Sequence, residues 1–273
     1  MFTSQSPLLG IFAIILYLTT SSLLTVRLVR GPDTAHIDRF WIMIFGFSAV
    51  ILHASVLYPS LFTPSGLNLG LSNAASLVGF LTALLLLLAS TYKPVENLGI
   101  PLLPLAALTI GLMFVYPAHL IIGREESSWQ LDSHILLSVL AYSVLGMAAL
   151  QAILLAIQDH HLHNRQPGGF IRSLPPLQTM EEMLFQMIGI GFVLLSLALV
   201  TGVLFLEDIF AQHLVHKTVL SIAAWTVFAV LLWGRRRFGW RGRVAIRWTI
   251  GGFVFLMLAY FGTKVVLELI LKR

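Results

Sequence analysis

The stretch "DSHILLSVLAYSVLGMAALQAILLAIQ" (132–158) decides the fold. Between Asp132 and Asp159 there is no charged residue. A helix rises about 1.5 Å per residue, so the run from 133 to 157 is long enough to cross the roughly 30 Å hydrocarbon core of a bilayer. The segment reads as a membrane span with one discordant group, His134, near its mouth. A polar group withdrawn from water needs partners, so this imidazole is hydrogen-bonded, solvated or a ligand.

The same pattern recurs on both sides. Runs of about 17–25 apolar residues fall at 8–26, 40–58, 71–91, 100–116, 133–157, 183–206, 218–234 and 248–269. The reading is an all-α polytopic transmembrane helix bundle of about eight spans, forming a single membrane domain over 1–273. Composition agrees: the chain is 58% hydrophobic and 11% charged, with a mean hydropathy of +0.89, whereas soluble domains run near a quarter charged. Pro101 and Pro104 fall at the start of the fourth span, where a missing N–H is tolerated. "PLLGIFAIILYLTTSSLLTV" (7–26) follows "MFTSQS", which lacks a basic n-region, so it reads as the first span rather than a cleaved signal. "SLFTPSGLNLGLSN" (60–73) reads as a loop or re-entrant piece, and "PLQTMEEMLFQM" (176–187) as an interfacial approach to span six. "DHHLHNRQPGGFIRSLPP" (159–176), the longest polar stretch, divides five spans from three as a linker.

Lys and Arg set orientation. Arg27, Arg30, Arg39, Lys93, Arg165, Arg172, Arg235, Arg236, Arg237, Arg241, Arg243 and Arg247 share one side; Arg124, Lys217, Lys264, Lys272 and Arg273 share the other. The basic side is read as cytoplasmic, which puts both termini outside and His134 at the outer end of span five. In a membrane protein this charge reports topology, and no nucleic-acid partner is implied. The evident partner is the lipid bilayer.

With no cysteine there is no thiolate metal site and no covalent c-type haem attachment; a bound metal or cofactor would be held by histidine. His53, in "AVILHASVLYP", lies at a depth similar to that of His134. Two neutral imidazoles at one level can ligate one haem iron axially, as in b-type haem, or each can bond a neighbouring hydroxyl such as Ser55 or Ser138. In "EDIFAQHLVHKT" (207–218), His213 and His216 share a helix face with Glu207 and Asp208 nearby; the alternatives are a divalent-metal site, a contact with a haem edge, or a solvated loop. "DHHLH" (159–163) offers a His tract that equally caps the C-terminal end of span five. Lys264 and Glu268 are spaced to pair along span eight, or Lys264 turns inward to a carboxylate. "GRRRFGWRGRVAIR" (234–247) reads as a positive-inside turn with an aromatic anchor. No Ser–His–Asp ordering, P-loop, Rossmann fingerprint or paired carboxylates occur, and the chain is not read as an enzyme.

"LNLGLSNAASLV" (67–78), the 132–158 stretch, "HKTVLSIAAWTVFAVLLWGRRRFGWRGRVAI" (216–246) and "LAYFGTKVV" (258–266) together resemble the cytochrome c assembly superfamily of CcsA-, CcmC- and HemX-type membrane proteins, and within it the compact bacterial inner-membrane branch typified by YpjD. The resemblance implies a multi-pass inner-membrane protein that handles haem, with other membrane proteins of cytochrome assembly as partners. It places an outer haem ligand at His134, matches Leu71-Ser72-Asn73, and matches His53 to an intramembrane histidine of that branch. The chain also departs from the pattern. "GVLFLEDIFAQHLVHK" (202–217) has no tryptophan where CcsA proteins carry a Trp-rich haem-presenting segment, leaving Lys217 and Trp225, and "VVLELILKR" (265–273) has no closing histidine. The leading expectation is haem b held between His134 and either His53 or His216, its propionates near Lys264 or Arg124. A cofactor-free regulator or partner subunit, or a small-solute or ion transporter, are the other readings.

Overall fold

The computed structural model describes residues 6–30, 37–64, 66–117, 121–123, 129–164, 168, 171, 173–205 and 212–262. Eight helices among them are long and apolar enough to cross a membrane. They are α1 (Ser6–Arg30), α2 (Arg39–Leu61), α3 (Leu71–Tyr92), α4 (Gly99–Val115), α5 (Trp129–His163), α6 (Leu177–Phe205), α7 (Gln212–Phe238) and α8 (Arg243–Met257), the last extended by a π-helical turn, Leu258–Gly262. Each expected span coincides with a helix. The eighth, expected to run to 269, is described only to Gly262. The interfacial approach to span six is instead the opening of α6: Met180, Met183 and Leu184 are buried at helical spacing, so "PLQTMEEMLFQM" continues the helix behind Pro176.

Backbone packing gathers the chain into two compact units, residues 1–127 with 167–175, and residues 128–166 with 176–273. In the first, α1 packs on α2, α2 on α3, α3 on α4, and α4 returns to α1. The second repeats this plan, α5 on α6, α6 on α7, α7 on α8, with α8 closing against α5. Each unit is thus a ring of four helices. The division is four spans and four, not the five and three suggested by the polar stretch at 159–176. That stretch separates α5 from α6 in sequence, but the two helices pack tightly together: a Cβ on Gly191 of α6 would lie 2.6 Å from Leu145 of α5. Between helices surrounded by lipid, where apolar burial gives little drive, such close approach by small residues supplies the packing.

The stretch 60–73 forms a hairpin rather than a plain loop. β1 (Phe62–Thr63) pairs antiparallel with β2 (Gly66–Asn68), and β2 pairs with β3 (Ile121–Gly123). Pro64 follows the end of β1 in the turn, Gly66 takes φ 139°, a value that favours glycine, and the Thr63 hydroxyl donates to the Gly66 carbonyl at 2.6 Å. Asn73 ties the hairpin to α3: its amide donates to the carbonyls of Ser60 (2.9 Å) and Asn68 (3.1 Å).

Pro104 falls inside α4 rather than in its first turn. It removes the N–H that would serve the carbonyl of Ile100. Ser21 of α1 fills the gap, its hydroxyl donating to Ile100 O at 2.8 Å.

Candidate functional site

The two histidines singled out from sequence fall in different units, and each finds partners inside its own. His53, on α2, is fully buried. Its Nδ1 lies 3.2 Å from the Tyr17 hydroxyl of α1 and its Nε2 2.8 Å from Ser76 Oγ of α3, while Phe80 meets its ring edge-on at 5.7 Å. A neutral imidazole needs one donor and one acceptor, and two hydroxyls satisfy it in either tautomer. Those partners are not Ser55, whose hydroxyl donates to Leu52 O. For His53 to ligate a metal, one of these bonds would have to open.

His134 is arranged differently. It lies one turn into α5, partly buried, against the end of α6. Its Nδ1 is 2.9 Å from the Ala198 carbonyl and 3.3 Å from Thr201 Oγ1. A carbonyl oxygen only accepts, so Nδ1 carries the proton. Nε2 is then left with its lone pair and, among the described residues, has no hydrogen-bond partner. Backbone fixation of one imidazole nitrogen while the other stays open is the arrangement that orients histidine for a metal. Space for the ring comes from Gly202: a Cβ there would meet His134 Cε1 at 3.0 Å and Nδ1 at 3.4 Å.

The alternating direction of the four helices puts the start of α5, the end of α6, the start of α7 and the end of α8 at the end of the ring where His134 lies. Trp129 and Phe205 meet edge-on at 5.8 Å at the α5–α6 rim, an aromatic pair suited to the interfacial level. Deeper, Tyr142 of α5 packs on Phe253 of α8 (5.3 Å) and on Tyr260 (6.1 Å) and Phe261 (5.4 Å) of the π-helical turn. The family-like piece at 258–266 therefore begins with a backbone irregularity of a kind often found at functional sites, packed on the helix that bears His134. On the α6–α7 side, Trp225 donates its indole N–H to Ser196 Oγ at 2.8 Å and stacks on Phe192 at 5.4 Å. The described ring contacts at and below this end are aromatic on aromatic. Aromatic side chains on the helices beside one open imidazole match the chemistry of a flat aromatic metallomacrocycle such as haem.

Other candidates resolve variously. His213 and His216 lie on the first turns of α7, and their side chains fall outside the described residues, as do Arg124, Glu207, Asp208, Lys264 and Glu268. The His160–His163 tract ends α5: His161 Nδ1 donates to the Ile157 carbonyl one turn back at 2.9 Å, and the backbone N–H of Asn164 closes the last turn on His160 O at 3.2 Å. At that same end Glu181 accepts from Arg235 (3.3 Å) and from the Gly242 N–H (3.1 Å), with Arg241 at 3.8 Å. Arg235 also lies 4.5 Å over the Phe185 ring. Among the described residues no group of three or more His, Asp or Glu is placed to hold a metal ion.

Sequence reasoning missed Tyr17, Ser76, Glu181 and Tyr142. Each is an ordinary residue in an apolar or charged run, and only three-dimensional packing pairs it with its partner.

Comparison with known proteins adds ancestry. A family model described as "Cytochrome C assembly protein" matches residues 41–271, running through both units. The chain is 34% identical over 270 residues to "Inner membrane protein YpjD" of Escherichia coli K12, covering 97% of this chain and 99% of that protein. It is 25% identical over 200 residues to "Cytochrome c biogenesis protein CcsA" of Prochlorococcus marinus, covering 60% of this chain and 62% of that one. Against the protein of the same name from Chlamydomonas reinhardtii it is 24% identical over 147 residues.

Proposed function

Because the chain belongs to the cytochrome c assembly protein family, we propose that it is a multi-pass protein of the bacterial inner membrane that holds haem b at the α5–α8 ring end, through Nε2 of His134, in the service of cytochrome assembly. The observation that carries this reading is the Nδ1 bond to Ala198 at 2.9 Å, which commits the proton to one nitrogen and leaves the other as a ligand. Haem supplies an iron for axial ligation and apolar edges for burial. The chain contributes orientation: Ala198 and Thr201 hold the ring, Gly202 gives it room, and the Tyr142–Phe253–Phe261 cluster floors the space beneath. In this reading the protein is a haem holder and not an enzyme. His53 and His216 are the candidates for a second axial position; His216 opens a helix of the same ring, whereas His53 would surrender Tyr17 or Ser76.

The test is the visible spectrum of the purified protein. A Soret band that shifts on reduction is expected, lost in His134→Ala while the helical signal and gel-filtration profile persist. An unchanged spectrum in that variant removes the assignment. Parallel His53→Ala and His216→Ala spectra identify the second ligand.

A second reading is a partner subunit that keeps the fold without cofactor. It is favoured by the lack of tryptophan in 202–217 and of histidine in 265–273. Coverage points the same way, since similarity spans 97% of the chain for YpjD and 60% for CcsA. Cofactor-free protein that co-purifies stoichiometrically with another membrane protein would support it.

A further inference from the structure

Among the described residues, the second unit carries one cation at the end where His134 lies, Lys217, and no described ion pair neutralises it. Lys217 opens the seventh span and is partly buried. The ion pairs among the described residues join Arg39 to Glu96, Arg235 and Arg241 to Glu181, and Arg243 to Asp159; Lys217 takes part in none of them. Its helical phase points inward. Residues seven apart lie on nearly the same line of a helix, and Ala224 and Leu231, in register with Lys217, are both 0% exposed. Val219, Ile222, Thr226 and Trp233 form the outward face.

Its level also matches that of His134. The Trp225–Ser196 bond of 2.8 Å aligns two antiparallel helices, and eight residues further along each brings Lys217 level with Leu204. His134 is bonded to Ala198 and Thr201. Leu204 lies three residues beyond Thr201 and six beyond Ala198, so the two side chains start within one to two helical turns, about 5–9 Å, of each other's height on the bundle axis. An intramembrane ammonium on an inward face calls for an anion; the carboxylate described at this end, Asp132 on the first turn of α5, is exposed, and no described ion pair joins it to Lys217.

We infer that Lys217 anchors a carboxylate of the bound ligand, namely a propionate of the haem held by His134. This rests on the haem reading above. Iron ligation by His134 and a propionate on Lys217 together fix the tilt of the macrocycle: the imidazole sets the centre and the ammonium sets the edge that faces the rim. Lys217 is a positioning residue in this scheme, and it selects for ligands bearing free carboxylates.

The purified full chain in detergent is titrated with haem and with haem dimethyl ester, whose propionates carry no charge. The wild type is expected to bind haem about tenfold more tightly than the ester, the ratio given by one charge-assisted hydrogen bond. Lys217→Gln should bring haem down to the affinity of the ester and leave the ester unchanged, and Lys217→Arg should keep the preference. A wild type indifferent to esterification overturns the inference without recourse to any variant. So does a Lys217→Gln protein that weakens both ligands equally. Failure of the haem reading looks different: His134→Ala then leaves binding of both ligands untouched, whatever Lys217 does.

Discussion

A methyl group added at Gly202 tests the site at its tightest point. In Gly202→Ala the new Cβ would stand 3.0 Å from His134 Cε1 and 3.4 Å from Nδ1. Ordinary carbon–carbon contacts begin near 3.5 Å, so the ring must withdraw by about 0.5 Å. Among the described residues its backbone tether is the Ala198 carbonyl, 2.9 Å from Nδ1. The same displacement directed away from α6 stretches that bond to about 3.4 Å, past the useful range of an N–H···O bond. Loss of most of a net contribution of about 1 kcal/mol should weaken haem binding by about three- to tenfold. Gly189 on the same helix is the matched control, because a Cβ there meets nothing within 4 Å. Both substitutions exchange glycine for the better helix former, worth up to about 1 kcal/mol in each case, so helix propensity cancels in the comparison. Soret titration of the three proteins, with thermal unfolding in the same detergent, gives affinity and stability side by side. If Gly202→Ala binds haem as tightly as Gly189→Ala, the imidazole is not positioned by its α6 contacts and the account of His134 fails.

Further expectations concern the fold around the site. Ser21→Ala strips the partner from Ile100 O and should lower stability by about 1–2 kcal/mol; in a Pro104→Ala background, where a backbone N–H returns, the same change should cost clearly less, as read from unfolding midpoints in a double-mutant cycle. Tyr17→Phe removes one hydroxyl from His53 and should cost about 1–2 kcal/mol, whereas His53→Ala, which also opens a cavity, should cost about 3 kcal/mol or more; equal effects of the two would contradict the bonding described. Glu181→Gln loosens the hold on Arg235, Arg241 and the Gly242 N–H, and tryptic cleavage within 235–243 should accelerate by about three- to tenfold, corresponding to about 1 kcal/mol of local stability; an unchanged cleavage rate would remove Glu181 from that role.

The helices were legible because the bilayer imposes a length and a composition on every span, and no soluble alternative competes for a run like 133–157. Their ends were less so. Met180, Met183 and Leu184 lie in a stretch with two glutamates, and the hydropathy of that stretch falls too low to declare a span, yet their 3–4 spacing continues α6. The hairpin at 62–68 was hidden because its residues are turn formers whose strand pairing depends on β3, more than fifty residues away in sequence. Grouping into four and four could not be read from the polar stretch at 159–176, since loop polarity reports solvent access and not which helices pack. At the site, His134 was visible as a polar group in an apolar run. The identity of its partner was not: Ala198 presents a backbone carbonyl, which is common to every residue and leaves no mark in sequence.

Both rings pair most of their buried polar groups, the second through Gln151 to Met180 O and Trp225 to Ser196, and the places where they differ indicate where a ligand belongs. In the first, Tyr17, His53 and Ser76 close on one another, Ser21 caps the carbonyl bared by Pro104, and Asn73 spends its amide on Ser60 and Asn68; the Ser72 hydroxyl and Arg27 Nη1 are buried without a hydrogen bond among the described residues. A polar group paired inside the membrane stabilises and specifies packing. In the second ring, His134 is half-paired and Lys217 takes part in no described ion pair, both at one end and on inward-facing positions. Leaving such groups unmatched in an apolar setting is costly, and nothing in the local backbone forces it: α5 and α7 are regular helices there, and leucine would serve packing at either position. The cost is recovered if a third body supplies a metal to the imidazole and an anion to the ammonium. Replacing both by leucine should therefore raise the melting temperature of the haem-free protein while abolishing haem binding, and a double variant less stable than the wild type would show that these groups serve the fold itself.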